Sequence, residues 1–246
     1  MDSGYYAACA ALMARTQALD TISNNLANSS TGGFRARHDT FNSVLAGYGQ
    51  TLNSQLNEAT NSFGTLGGSR MDRTQGPLEK TGVDLDVAID GPGFLSVQTA
   101  NGVAYTRNGN LKISPQGQLV TSNDDPVLGT RGPITIPRAA SVTISADGTV
   151  SANGAIAGKL KVVEFPANVD MSSMGSTYYT APAESALASP KSEIRQGMLE
   201  GSNVNPVAGV IELINAQRTA ESMRHALTTI DSEMDKTAAQ DIARVT

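Results

Sequence analysis

After Gly209 the sequence contains no glycine or proline through Thr246. Nothing local therefore stops a helix begun at Asn205-Pro206, where Asn caps free amides and Pro fits the first helical position. The spacing predicts a helix of about 38 residues, roughly 57 Å at 1.5 Å per residue. A helix much longer than about 25 residues does not usually lie against one compact domain. Leu213, Ala216, Ala220, Met223, Leu227, Ile230 and Met234 recur at alternating intervals of three and four. That spacing keeps one apolar seam aligned along a supercoiled partner. A solitary helix laid across the rest of the chain is the other reading of the same run.

The available partner is at the other end. From Tyr5 to Asn28, residues Tyr5, Ala8, Leu12, Leu19, Ile22 and Leu26 form a similar stripe, interrupted by Arg15. The helix is expected to stop near Asn28, because Ser29, Ser30, Thr31, Gly32 and Gly33 follow and glycine supplies turn conformations at a cost to helix.

Between the helices the period changes. A polar connector, rich in Asn, Ser, Thr, Gly and Gln, runs from about Gly47 to Gly68 with too few large apolar residues for a core. Short β-like runs follow: Val83 to Ile89, Phe94 to Gln98, Leu111 to Ile113, Gln118 to Thr121, Ile134 to Ile136, Val142 to Ser145 and Leu160 to Phe165. Ser114-Pro115-Gln116-Gly117 and Ser145-Ala146-Asp147-Gly148 resemble one another as hairpin turns, and Asp147-Gly148 predicts a type I′ turn. The expected fold is a mainly β central domain, a hairpin-rich sandwich or open barrel, flanked by long N- and C-terminal helices forming a coiled-coil-like pair. The expected division is an N-terminal assembly helix over 1–33, an extended connector over 34–69, a β-rich domain over 70–200 and a C-terminal coiled-coil-like helix over 201–246.

Composition narrows function by exclusion. Only 17% of residues are charged, the net charge is −5, and no basic run could neutralise several phosphates, so nucleic acid is not an expected partner. The 24 glycines, 4% aromatics and absence of Trp suit a turn-rich β protein packed by small aliphatic side chains. Cys9 is the sole cysteine, so no internal disulfide forms, and His38 and His225 lie too far apart in sequence to suggest a zinc site. No segment approaches a membrane span, and the acidic start Met1-Asp2-Ser3-Gly4 does not read as a cleavable signal peptide.

Catalytic readings are weak. Asp84, Asp86 and Asp90 fall on one face of the expected strand, where a solvated outer face is far commoner than a carboxylate dyad. Gly91-Pro92-Gly93 has no Lys-Ser/Thr after it, and no G-x-S-x-G occurs. No enzyme activity, cofactor or small-molecule substrate is expected. The remaining signal is Ser23-Asn24-Asn25-Leu26-Ala27-Asn28, because Asn is a poor helix former. Asn24 and Asn28 lie one turn apart on one helical face, and their amides could bond to neighbouring backbones or side chains, although a fraying helix end would also account for them.

Extended through Ser29-Ser30-Thr31-Gly32-Gly33-Phe34-Arg35, this cluster resembles the N-terminal motif of the flagellar rod and hook family. Three further stretches are similar to that family in the same order: Leu85-Asp86-Val87-Ala88-Ile89-Asp90-Gly91-Pro92-Gly93-Phe94, Tyr105-Thr106-Arg107-Asn108-Gly109-Asn110, and Leu199-Glu200-Gly201-Ser202-Asn203-Val204-Asn205-Pro206-Val207. The resemblance implies a structural rod subunit, exported through the flagellar type III apparatus without a cleaved signal. It also implies self-assembly through the terminal helices into a torque-transmitting helical tube in the periplasmic basal body. Expected partners are other copies, adjacent rod or hook proteins and the export apparatus. Expected interface residues are Ser23, Asn24, Asn25, Leu26, Asn28, Leu213, Ala220, Met223, Leu227, Ile230 and Met234. The alternative is a secreted β-rich binding or adhesin module with helical stalks.

Overall fold

The computed structural model describes residues 2–43, 64–137, 140–187 and 191–245. Most of the expected connector lies outside these residues. The chain divides into two compact units: one of residues 1–26, 37–69 and 206–246, the other of residues 27–36 and 70–205.

The first unit contains the two α-helices found among the described residues, α1 (Asp2–Ala27) and α2 (Pro206–Val245), with the strands Arg37–Ser43 and Gly64–Met71 paired as a small sheet. The expected pair of long helices wound as a coiled coil is overturned. α1 has 26 residues against 40 in α2, and most elements among the described residues are β-strands. The physical reason lies in the side chains. Among the α1 side chains that are described, the buried ones are Ala11 and Ala14, whereas Leu12, Leu19, Ile22 and Leu26 are only half-buried. A coiled coil needs large apolar knobs enclosed on both helices.

Strand periodicity shaped the second unit, but not as one sandwich or barrel. Its strands form several small antiparallel sheets, the largest of five strands. In that sheet Phe94–Thr99 pairs with Gly102–Thr106 and, on its other edge, with Val162–Val163. Tyr178–Thr180 joins Gly102–Thr106 to Ser172–Met174. Val87–Asp90 pairs with Glu193–Gln196, and Leu78–Lys80 with Met198–Glu200. A three-stranded sheet of Val142–Ile144, Thr149–Ala152 and Ala155–Lys159 completes the side where Val87, Leu95, Val97, Leu119, Ile144 and Val150 make the main core. A second cluster is aromatic: Phe94 meets Tyr179 edge-on at 5.9 Å, and Tyr105 meets Phe165 edge-on at 4.8 Å.

Local chemistry explains where the strands differ from expectation. Val83–Asp86 is extended chain and turn rather than strand, so the three aspartates do not share a face. Asp86 is buried and accepts from the Asn110 side chain, while Asp90 ion-pairs with Arg195. Asp147-Gly148 is not type I′. Only Gly148 has positive φ, 86°, and Gly148 N–H donates to Ser145 O while Ser145 N–H donates to Thr149 O. That is the three-residue loop with a glycine bulge. Ser114–Gln118 repeats it with Gly117 at φ 82°. The two-residue primed turn is Asn153-Gly154, with φ of 50° and 82°, between the paired Ala152 and Ala155.

Candidate assembly interface

At the end of α1 the motif residues are engaged inside the subunit. The Asn25 amide donates to Arg37 O at 2.7 Å and accepts from Arg37 N–H at 2.9 Å, so it fixes the first residue of the strand Arg37–Ser43. Ser23 and Asn24 are exposed, and Leu26 is half-buried. In the second unit Asn28 closes the turn that follows: its carbonyl accepts from Thr31 N–H, and its side chain from the Thr31 hydroxyl at 3.1 Å.

Past that turn the backbone enters the β-rich unit. Gly33 takes φ 71°, its N–H donates to Glu200 O at 2.8 Å, and a Cβ there would run into the Arg107 backbone. Only glycine satisfies both constraints. Phe34 and Arg35 are buried. Arg35 meets Glu200 at 2.5 Å, and Arg107 meets the other Glu200 oxygen at 3.1 Å, with the side chains of Arg35 and Glu200 fully buried. The Arg35 N–H donates to the Tyr179 hydroxyl at 3.0 Å.

Two guanidinium groups thus share one carboxylate. Arg107 offsets part of the excess by donating to the carbonyls of Ile89 and Gly91 and lying 4.8 Å from the Phe94 ring centroid. Burial still pulls its pKa down to about 10, against the raising effect of Glu200. Burial pushes the Tyr179 phenol up to about 12. Nε and Nη1 of Arg35 have no acceptor.

The surrounding motif residues serve the same junction. Gly76 N–H donates to Glu200 Oε1 at 3.0 Å, and a Cβ on Gly76 would strike the Gly201 backbone. Asn203 accepts from Ala36 N–H at 2.7 Å and donates to Thr74 O at 3.1 Å. Gly109 O accepts from Val87 N–H at 3.0 Å, in a space too tight for a Cβ. Arg35, Arg107 and Glu200 stand in three separate motifs of the sequence, and nothing in their spacing joins them. The available signal was a lone charge inside each otherwise neutral stretch.

α2 presents two apolar faces. Leu213, Met223 and Leu227 are half-buried and Ala220 is buried, all on one side. At 3.6 residues per turn, Val207, Val210, Ile211 and Ile214 fall on the other side. These are exposed, Val207 at 70% and Ile211 at 56%. Ile230 and Met234 lie within α2. The seam read from sequence and the exposed apolar stripe are therefore different surfaces.

The comparisons with known proteins follow the same segments. The family model described as flagella basal body rod protein matches residues 6–35, the flagellar hook protein FlgE/F/G D1 domain matches 88–152, and the flagellar basal body rod FlgEFG protein C-terminal model matches 195–241. The flagellar basal-body rod protein FlgF of Salmonella typhimurium is 37% identical, covering 94% of this chain and 95% of its own length. The chain belongs to the flagellar basal-body rod protein family. FlgF of Caulobacter vibrioides is 34% identical over the whole of both chains, and FlgG of Bacillus subtilis is 32% identical over 87% of this chain and 89% of its own. The chain is more like these FlgF members of the rod family than the FlgG member. The N-terminal rod model ends at Arg35, and the C-terminal model includes Glu200. In this rod-family chain the two models thus meet at one buried ion pair.

Proposed function

We propose that the chain is a rod subunit that works without catalysis, stacking through its helices into a helical tube that transmits torque. The observation that carries this is the second apolar face of α2. Four large aliphatic side chains, Val207, Val210, Ile211 and Ile214, stand exposed on one side of the helix, and a contiguous apolar stripe of that kind marks a surface for another protein. A contact between unlike surfaces, repeated without closure, builds a helical assembly.

The interface on this reading includes that stripe, the α1 end at Ser23, Asn24, Asn25, Leu26 and Asn28, and the seam at Leu213, Ala220, Met223, Leu227, Ile230 and Met234. Partners are further copies and adjacent rod or hook proteins, reached in the periplasm after export without a cleaved signal. The β-rich unit supplies rigidity, since the Arg35–Glu200–Arg107 cluster pins residues 27–36 to its core. The four-part division at residues 33, 69 and 200 belongs to the same proposal. The test is cryo-electron microscopy of basal bodies from cells carrying a tagged chain. Tag density along the rod supports the reading, and basal bodies complete without the chain refute it.

A further inference from the structure

We propose that Asn101, at the tip of the hairpin joining Phe94–Thr99 to Gly102–Thr106, is a site of spontaneous covalent modification, where its side-chain amide is converted to aspartate and isoaspartate by its own backbone and water. The chemistry does not depend on assembly into a rod.

The backbone nitrogen that follows an asparagine can attack the side-chain Cγ. A new C–N bond closes a five-membered succinimide, the bond to the amide nitrogen breaks, and that nitrogen leaves as ammonia with the proton of the backbone N–H. Water then adds to either carbonyl of the ring and reopens it, as aspartate or as isoaspartate with the main chain rerouted through the side-chain carbon. Neither step needs an oxidant or a cofactor. Glycine is the most permissive following residue, since it has no Cβ to obstruct the closure. The chain holds three such pairs, Asn101-Gly102, Asn108-Gly109 and Asn153-Gly154.

The fold treats the three differently. Asn108 accepts from Asn110 N–H at 3.1 Å and its own N–H donates to the Thr106 hydroxyl at 3.0 Å, while Gly109 is pressed against the Val87 backbone. Neither can turn. Asn153 stands in the same tripeptide as Asn101, Ala-Asn-Gly, but its side chain accepts from Ser141 N–H at 2.9 Å and its N–H donates to Ser141 O at 2.9 Å. Both ends of that residue are held. The Asn101 side chain is exposed and has no hydrogen-bond partner among the described residues; only its N–H is engaged, donating to the Thr99 hydroxyl at 3.3 Å. Gly102 has φ 113°, with no atom from beyond its chain neighbours within 4 Å of where a Cβ would stand. Thr99 and Gly102 form the last pair of the ladder, so freeing the Gly102 nitrogen opens only the end of the hairpin, where opening costs least.

The product changes the surface. A carboxylate appears next to Val103, which is 45% exposed, and isoaspartate lengthens the main chain inside the turn that sets the pairing of Thr99 with Gly102.

The full-length folded chain is incubated in mildly alkaline buffer, and peptide mapping by mass spectrometry follows each Asn-Gly pair with time, with isoaspartate distinguished from aspartate by fragmentation. Conversion at Asn101 is expected to be roughly tenfold faster than at Asn153 or Asn108, with isoaspartate among its products. The same incubation in denaturant is expected to bring Asn101 and Asn153 to similar rates, because their tripeptides are identical. Asn101→Gln, which cannot close the five-membered ring, is expected to leave that peptide unchanged. Equal rates at Asn101 and Asn153 in the folded chain, aspartate without isoaspartate, or a difference between them that persists in denaturant overturns the proposal.

Discussion

Arg35 and Glu200 meet at 2.5 Å, both side chains fully buried, and Glu200 also holds Arg107 at 3.1 Å. Residues from opposite ends of the β-rich unit are thus tied by one carboxylate. Glu200→Gln leaves two buried guanidinium groups without a counter-charge, and breaking one partner of a buried pair costs about 3–5 kcal/mol. Chemical denaturation of the full chain is expected to show a loss of that size. A loss below about 1 kcal/mol would mean that solvent reaches the cluster.

Tyr179 reports on the same cluster through pH. Its phenol is pushed up to about 12 by burial, from an ordinary value of 10. An acid with a raised folded pKa contributes its full stability below the unfolded pKa and loses it as pH rises through the folded one. The contribution is therefore intact below about pH 10 and falls away toward pH 12, by roughly 2–3 kcal/mol at 1.36 kcal/mol per pH unit. Spectrophotometric titration of the tyrosines is expected to show one phenol ionising last. Its disappearance from the late phase in Tyr179→Phe assigns it.

Asn25 closes two hydrogen bonds onto Arg37 within the subunit. Asn25→Ala is expected to leave the Arg37 N–H and C=O to water and to cost about 1–3 kcal/mol. Native-state hydrogen exchange at Arg37 should accelerate while Val87–Asp90 is unchanged. Unchanged exchange at Arg37 would show that this clamp contributes nothing.

Some of this was legible in the chain itself. Ser114-Pro115-Gln116-Gly117 and Ser145-Ala146-Asp147-Gly148 announced two hairpins, because a glycine after a polar turn fixes the chain reversal. The turn type was not legible, since it depends on whether Asp147 itself takes positive φ, and it does not. Asn153-Gly154 escaped notice because Ala152 and Ala155 beside it lack the β-branched signature of strands. Val83–Asp86 alternates like a strand yet forms a turn, because Asp86 is drawn inward to Asn110. The buried charge cluster was invisible for a more general reason. Periodicity assigns faces to elements, but it does not pair residues as remote as Arg35 and Glu200. The same limit applies to α2, whose seam gave a period and no partner.

The central claim is that subunits meet through the exposed apolar stripe of α2. Ile211→Asp places a carboxylate in its middle, at a residue 56% exposed in the subunit. Surface changes of this kind alter subunit stability by about 0.5 kcal/mol or less, whereas burying an unpaired charge at a contact costs several kcal/mol. The measurement is the amount of Ile211→Asp chain in purified basal bodies, beside the thermal unfolding of the same variant as a free subunit. The account predicts near wild-type unfolding with incorporation lost. Wild-type incorporation of the folded variant would contradict it.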